Sequence, residues 1–511
     1  MSKTKKVSIF VFFFLITLNL PPLTAKDWQI AAQQDLEYIR MKIEEIHPAF
    51  IQNDKDFNYW LEVGYEKSLN SISKINSRSD ASALLKYYVN GFKDIHMTIT
   101  SYEYCFLCFN FQSAVFRGFV YSPQNRIWAG FTLMETHSGQ LLVNHSSKDW
   151  SARLPEKGDI LKSCDGINLP SSLDDYKIGV FSRRNISELE QIQYEYAFTL
   201  RGSNGALSYL PLWESCQFYN STLDTITSYP IQWQALTIDD IKDIGIKNNI
   251  VNFNYTEQEN KINHLSLPTF SYSEKIKHNI EKTLLPQLQK IQDDSTLFID
   301  LRRNSGGSLH SVIKLFASLY PAAVKQSKHL KNISNSSYRA SAALINHFES
   351  IRQTYGKSID DLRNIEIDNL LGDLRQARGN TEMVERSTNI VENTLSKFNN
   401  FRKKDFQGNV IILTDKHCNS ACLTFLDLMK DQPNVLHVGE VTNSDTVYGE
   451  SIKITTPNFI KVFIPTKHNI NRIRKSNSAI KPDIVFDGDI SNSKVVYQWI
   501  SSEIIPQVSK N

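Results

Sequence analysis

The stretch that decides the fold is VIILTDKHCNSACLTFLDLM, residues 410–429. Val410–Leu413 is a short apolar, β-branched run, which predicts a buried strand. Ser420–Met429 carries apolar residues at helical spacing, which predicts a helix that begins after a short turn. A strand, a turn and a helix in this order are typical of a βα unit in a parallel sheet.

The same alternation continues on both sides of this unit. Upstream we predict a strand at Thr296–Leu301 and a helix at Ser308–Leu319, and downstream a strand at Val435–Val438. From Ile262 to the end of the chain, the pattern therefore predicts an α/β fold with a largely parallel sheet. Residues 330–400 interrupt the alternation with a polar stretch, which is either a helical insertion, such as a lid, or a flexible linker.

The first half of the chain has a different pattern. Apolar residues recur at helical spacing before Pro48, and a second helix is predicted to end at Gly91. Beyond about Ser101, short apolar runs alternate with Gly, Pro, Asn and Ser, which predicts β-structure. We therefore expect a signal peptide at 1–25, a helical region at 26–100, a β-rich domain at 101–255, and an α/β domain at 256–511 with the insertion at about 330–400.

The N-terminus has the features of a signal peptide. Three lysines (Lys3, Lys5 and Lys6) precede the apolar stretch Val7–Leu20, which is short for a membrane span of about 20 residues. Cleavage after Ala25 would remove it, and an uncleaved anchor is the alternative. We expect a secreted or periplasmic protein with no stable membrane insertion once the signal is removed.

The composition of the chain excludes some classes of function. The chain has 57 Lys and Arg against 54 Asp and Glu, and removal of the three signal-peptide lysines leaves the balance at zero. A neutral chain argues against nucleic-acid binding. With 41% hydrophobic and 22% charged residues, the chain can bury a sizeable core.

The six cysteines are compatible with an oxidising compartment. Two of them form a C-x-x-C and two a C-x-x-x-C, and we favour disulfides over a zinc site because the two close pairs lie far apart in the sequence. Their connectivity stays open. The six are Cys105, Cys108, Cys164, Cys216, Cys418 and Cys422.

Ser420 is the candidate nucleophile. Its position between a strand and a helix places it at the carboxyl edge of the sheet, where open α/β sheets bind ligands. The N–H groups of the first helical turn favour a developing oxyanion, so Ala421 is a candidate donor. Gly306 or Gly307 would supply a second exposed N–H. The alternative is that Ser420 is only an N-cap.

Several segments together resemble the S41 serine peptidases, which include tail-specific and tricorn-like proteases. The resemblance covers nearly the whole chain beyond the signal peptide and depends on the order and spacing of the motifs. The motifs are GFKDIH at 91–96, DLRRNSGG at 300–307, TDKHCNSA at 414–421, GEVT at 439–442 and AIKPD at 479–483.

This resemblance implies a ClpP/crotonase-like catalytic core and a PDZ-like β domain. Trp128–Phe131 and Gly158–Leu161 resemble PDZ segments, and Ala129, Gly130 and Phe131 would form the loop that binds a peptide carboxylate. The alternative is a β domain that keeps the fold and binds nothing.

The resemblance also suggests the general base. Tail-specific members use a Lys where this chain has Asp445, whereas tricorn-like members use a His in a D-x-H motif that Asp94–His96 matches. We therefore expect His96 to be the base, and His417 and His310 are its rivals.

The sequence does not single out one acid that would orient the base. Tricorn-like members carry a Glu shortly before the late Pro-Asp motif, and this chain has none at residues 475–477. Asp94 and Glu440 are the candidates, and the third catalytic group stays open.

We expect an exported serine endopeptidase that cleaves peptides or unfolded proteins and needs no metal or organic cofactor. The alternative is a catalytically inactive protein on the same fold that binds peptides or apolar ligands. An esterase of the α/β-hydrolase type is disfavoured because Ser420 lacks a G-x-S-x-G motif.

Overall fold

The structure is a computed structural model of the chain. It describes residues 24–99, 126–135, 140–168, 200–202, 212–237, 239–240, 253–258, 261–355, 361–377, 383–388, 390–396, 398, 401–488, 490 and 492–508. Most of the predicted signal peptide and the Cys105–Cys108 pair lie outside these residues.

The α-helices of the described residues are named in chain order. They are α1 (Ala25–Ile46), α2 (Pro48–Ile51), α3 (Lys55–Ser71), α4 (Arg78–Asn90), α5 (Glu274–Asn279), α6 (Leu285–Lys290), α7 (Leu309–Leu319), α8 (Pro321–Gln326), α9 (Lys328–Ile333), α10 (Ala342–Tyr355), α11 (Asp361–Gln376), α12 (Ile390–Leu395), α13 (Ala421–Lys430), α14 (Ser493–Trp499) and α15 (Ile505–Val508).

The strands are named in the same way. They are β1 (Thr98–Ile99), β2 (Arg126–Trp128), β3 (Phe131–Glu135), β4 (Leu141–Ser146), β5 (Ile160–Cys164), β6 (Ile167–Asn168), β7 (Leu200–Gly202), β8 (Ser215–Asn220), β9 (Thr225–Pro230), β10 (Gln234–Ala235), β11 (Asn254–Gln258), β12 (Ile262–Ser266), β13 (Thr296–Asp300), β14 (Asn335–Arg339), β15 (Met383–Ser387), β16 (Asn409–Thr414), β17 (Val435–Gly439), β18 (Tyr448–Thr455), β19 (Lys461–Asn469) and β20 (Ile484–Val485).

The predicted α/β fold is confirmed around one sheet. Its strand order is β11-β12-β13-β16-β17-β20, and all neighbours except β11 and β12 run parallel. Leu297 and Ile299 of β13 belong to the core on one face with α7 and α13, whereas Phe298 belongs to the core on the other face with α14. Because both faces are covered, the central strands are apolar throughout rather than alternating.

A second sheet packs against the N-terminal helices. Its order is β1-β19-β14-β15, and β18 pairs with the other side of β19. Helices α1, α3 and α4 place their apolar faces in a core shared with β18 and β19. This packing joins the turn after α4 to the part of the chain that follows the turn carrying Ser420.

The polar stretch at 330–400 contains strands as well as helices. β14 and β15 pair with each other, and β14 extends the sheet through β19. Sequence periodicity missed these strands because β14 (NSSYR) lacks apolar alternation. Ser336 and Ser337 are buried by the neighbouring strands rather than by their own hydrophobicity.

The β-rich part contains an antiparallel sheet of order β3-β4-β5-β8-β9, with β6 beside β5. A disulfide joins Cys164 of β5 to Cys216 of β8, its register partner.

None of the helices in the described part of the chain combines the length and apolar character that a membrane span requires.

Candidate active site

The turn that carries Ser420 has an unusual backbone. β16 ends at Thr414, α13 begins at Ala421, and Ser420 between them has φ +52° and ψ −121°. The Ser420 side chain makes no capping hydrogen bond, so the alternative of a simple N-cap does not hold. A disulfide between Cys418 and Cys422 spans the turn. The positive φ and the disulfide both constrain the backbone of the turn that carries Ser420.

His96 lies next to this hydroxyl. Its Nε2 is 3.3 Å from Ser420 Oγ, although the two residues are 324 positions apart in sequence. The backbone carbonyl of His96 accepts a hydrogen bond of 2.6 Å from the hydroxyl of Ser451 on β18. His96 is therefore held by the second sheet at a distance typical of a nucleophile and its base before substrate binds.

Asp94 lies behind His96. Its Oδ1 accepts the His96 backbone N–H at 2.9 Å and lies 3.5 Å from His96 Nδ1. Burial by itself would raise the pKa of Asp94, but the two neighbouring imidazoles of His47 and His96 outweigh burial and hold the pKa well below its usual range. The carboxylate is therefore charged at neutral pH, as required to stabilise a protonated His96.

The rival histidines have other partners. His417 Nδ1 lies 2.9 Å from Asp415 Oδ2, and His310 Nδ1 lies 2.6 Å from the hydroxyl of Thr394. Asp415 also accepts the backbone N–H groups of His417 and Arg303. The Asp415 carboxylate thus links the turn at Arg303 to the residues that precede Ser420.

The glycine turn at 306–307 lies directly against the turn that carries Ser420. Gly306 has φ +91°, and a Cβ built on it would lie 2.9 Å from the Ala421 nitrogen. The Gly306 N–H donates to the side chain of Asn304 at 2.9 Å. Within the described residues, the N–H groups of Gly307 and Ala421 have no hydrogen-bond acceptor. Two backbone donors are thus available beside Ser420.

Asp445, which replaces the expected lysine of the tail-specific proteases, is buried in an ion-pair network. Its Oδ1 pairs with Arg472 at 2.7 Å and also with Arg474, and Arg474 in turn pairs with Asp427 of α13 at 3.1 Å. Burial would raise the pKa of Asp445, but the two arginines hold it below its usual value. The network links the loop after β17 to the helix that Ser420 precedes.

Glu440 lies beside the end of β16. Its Oε2 accepts the N–H of Lys416 at 3.4 Å, and its backbone N–H donates to Thr414 at 3.0 Å. Glu440 therefore supports the turn that carries Ser420, whereas Asp94 is the candidate acid that contacts the His96 ring.

The predicted carboxylate loop leads into an edge strand. Ala129 and Phe131 are buried, and Gly130 has φ +87° with the Trp150 ring against it. β3, which follows, pairs with β4 and ends the described strand order of its sheet. An edge strand after such a loop is the arrangement that peptide augmentation uses.

Sequence reasoning missed two contributors to the site. His47 contacts Asp94, and Asn304 accepts the Gly306 N–H. His47 carries only the signal of a helix end before Pro48, because its relation to Asp94 depends on tertiary packing. Asn304 lies inside the DLRRNSGG motif, so the motif itself could have indicated that Asn304 has a structural role.

Comparisons with solved structures support this fold. Mature CPAF complexed with lactacystin is 13% identical, with a TM-score of 0.59, and the match covers 95% of this chain and 99% of CPAF. A point mutant of CPAF is 12% identical with a TM-score of 0.60, and the match covers 94% of this chain and 97% of that one. The chain thus has the fold of these structures over nearly its whole length. No curated protein matches at a significant level.

The family comparison identifies the α/β part. Residues 261–486 match the model of peptidase family S41. The match agrees with the motifs of this part of the chain, which predicted the same family of serine-type peptidases.

Proposed function

We propose that this chain is an exported serine endopeptidase in which Ser420 is the nucleophile and His96 the general base. The observation that carries the proposal is the 3.3 Å separation between Ser420 Oγ and His96 Nε2. A serine hydroxyl needs such a base, because it is a poor nucleophile at its own pKa.

The reaction follows from this arrangement. His96 takes the hydroxyl proton as Ser420 Oγ bonds to the peptide carbonyl carbon, and then returns the proton to the leaving amine as the C–N bond breaks. Water hydrolyses the resulting acyl-enzyme, with His96 again acting as base. Asp94 stabilises the imidazolium that forms in each half of the reaction.

Gly307 and Ala421 are the proposed oxyanion donors. Their N–H groups are without acceptors in the described structure, whereas the Gly306 N–H is already bonded to Asn304. Gly306 instead allows the glycine turn to approach Ser420 closely. One oxyanion donor of this kind contributes about 100- to 1000-fold to kcat.

The site combines distant parts of the chain. We propose that residues 26–100 form the helical region that supplies His96 and Asp94, that 256–511 form the catalytic domain, and that 101–255 form a PDZ-like domain. A peptide added beside β3, with its carboxylate at Ala129–Phe131, would present an extended chain. Extended peptides and unfolded proteins are the substrates that suit such an edge.

Two features support export. The signal peptide predicted at residues 1–25 would direct the chain out of the cytoplasm. The disulfides Cys164–Cys216 and Cys418–Cys422 are typical of an oxidising compartment such as the periplasm or the exterior.

The test is degradation of a denatured protein by the purified chain, measured beside Ser420→Ala, His96→Ala and His417→Ala. His417→Ala is the matched control, since it removes a histidine of the same turn that pairs with Asp415. We expect the parent and His417→Ala to cleave, and the other two variants to stay folded and lose at least about 1000-fold in kcat.

The proposal fails if Ser420→Ala retains activity, or if His417→Ala rather than His96→Ala abolishes it. A folded parent that binds denatured protein and never cleaves it would favour a binding protein on the same fold. Lactacystin, which is bound in one CPAF structure of this fold, is a useful additional probe of Ser420.

A further inference from the structure

A second histidine lies behind Asp94. His47 is between α1 and α2, and its side chain is completely buried. Its Nδ1 accepts the backbone N–H of Ala49 at 3.1 Å. A neutral imidazole has one donor and one acceptor nitrogen, so this contact places the ring proton on Nε2.

The Nε2 atom that carries this proton lies beside Asp94. His47 Nε2 is 3.5 Å from Asp94 Oδ2, and within the described residues it has no closer hydrogen-bond acceptor. The other oxygen, Asp94 Oδ1, lies 3.5 Å from His96 Nδ1. The Asp94 carboxylate therefore lies between two imidazole rings, one facing Ser420 and one facing the protein core.

We infer that His47 is a positioning residue of the active site, which holds Asp94 ionised and correctly oriented toward His96. The inference rests on the proposed function, because it matters only if His96 is the base. His47 does not contact Ser420 and acts through Asp94. Hydrogen bonds behind a reacting group set its orientation and its basicity in this way.

The surroundings of His47 suit that role. Its ring stacks on Phe57 at 4.4 Å between centroids and meets the edge of Tyr448 at 4.8 Å, so it has little freedom to rotate. Its backbone carbonyl accepts a hydrogen bond from Arg339 at 3.3 Å. Burial lowers the pKa of His47 despite the opposing influence of Asp94, so the ring is a neutral donor at neutral pH.

Other charged groups around the pair are few and identifiable. Asp54 and Arg339 act on His47 with opposite signs, the Tyr448 hydroxyl lies near Asp94, and Asp445 lies near His96. A substitution of His47 alone leaves all four of these groups in the chain. A shift in the pH dependence of kcat/KM of such a variant would therefore be due to the loss of the His47 Nε2 donor to Asp94.

Two substitutions separate the two nitrogens of His47. His47→Asn keeps an acceptor near the Nδ1 position, which still caps α2, and removes the donor to Asp94. His47→Gln can present an amide N–H near the Nε2 position and loses the cap. Both remove ring contacts, so both will lower the melting temperature, and stability alone does not distinguish them.

The sign of the pH effect follows from the loss of the donor. Asp94 and His96 titrate as a coupled pair, and a donor to the carboxylate stabilises the pair in its deprotonated, active form. Without that donor the pair takes up its first proton more easily. We expect His47→Asn to move the acid limb of kcat/KM to higher pH by about 0.5–1 unit and to lower kcat by about 10- to 100-fold. His47→Gln should restore most of both.

The same titration can be followed without turnover by NMR of the His96 ring in the Ser420→Ala background. The inference predicts that His47→Asn raises the pH at which the His96 ring titrates and that His47→Gln leaves it near the parent value. It is overturned if both variants titrate like the parent and differ from it only in stability. A parent that shows the NMR behaviour and hydrolyses nothing would instead contradict the proposed function.

Discussion

Gly306→Ala is the substitution that tests most sharply how the fold holds the nucleophile. A Cβ at this position would lie 2.7 Å from the Asn419 carbonyl oxygen, 2.9 Å from the Ala421 nitrogen and 2.9 Å from the Ser420 Cβ. All three atoms belong to the nucleophile turn, and two of them are backbone atoms. The turn must therefore move away from the glycine turn to accommodate the methyl group.

The magnitude has two parts. Alanine at φ +91° costs about 1–2 kcal/mol in backbone conformation, and forcing a methyl group into a filled contact costs about 1–3 kcal/mol more. We therefore expect Gly306→Ala to lower the free energy of unfolding by about 2–5 kcal/mol. Displacement of Ser420 by a few tenths of an ångström up to about 1 Å should lower kcat by about 100-fold.

Gly158→Ala is the matched control. Gly158 has nearly the same backbone angle, φ +95°, and a Cβ there would meet no atom within 4 Å. It should lose only the conformational part, about 1–2 kcal/mol, and retain its kcat. Urea unfolding gives the stability of both variants, and the rate of acyl-enzyme formation on an ester substrate gives the catalytic effect.

The reasoning is refuted if Gly306→Ala unfolds at the same urea concentration as Gly158→Ala and forms the acyl-enzyme at the parent rate. In that case the glycine turn would not be what positions Ser420. A Gly306→Ala variant that is destabilised but fully active would also refute the reasoning, because the contact would then matter for stability and not for catalysis.

Two further predictions concern the supports of the nucleophile turn. Asp445→Asn should lower the free energy of unfolding by about 3–5 kcal/mol at pH 7, because it removes the buried carboxylate that two largely buried arginines share. The pKa of Asp445 is held below its usual value, so its contribution to the free energy of unfolding is present above a pH of about 4 and is lost as the pH falls further. Urea unfolding from pH 7 to pH 3 should therefore show the difference in stability between the parent and Asp445→Asn becoming smaller. Replacement of both Cys418 and Cys422 by alanine should cost about 2 kcal/mol of stability and about 10-fold in kcat, since this short disulfide spans the turn of the nucleophile. The same change at Cys164 and Cys216, 52 residues apart, should cost about 4 kcal/mol and leave kcat unchanged, and equal effects of the two pairs on kcat would contradict the positioning role.

The sequence was most informative where local pattern and tertiary role agree. Apolar runs bounded by turns predicted β13, β16 and β17 to within one or two residues, because these strands are buried on both faces. β14 was missed because its burial comes from neighbouring elements rather than from its own residues. Periodicity cannot report packing that another segment supplies.

The candidate site shows the same division. Ser420 and the glycine turn could be predicted because a strand, a turn and a helix fix their position within one unit of the fold. His96 could be predicted only from its D-x-H motif, because nothing in the sequence around residue 96 indicates a partner 324 positions away. His47 had no such motif, and only the packing of α1 and α2 against the second sheet brings it to Asp94.

The central claim is that Ser420 is a nucleophile activated by His96. The most direct measurement is covalent labelling of the purified chain with a fluorophosphonate, followed by mass-spectrometric mapping of the adduct. We predict a single adduct on Ser420, formed rapidly by the parent and at least about 100-fold more slowly by His96→Ala. An adduct at another residue, or labelling of Ser420 at the same rate in His96→Ala, would contradict the account.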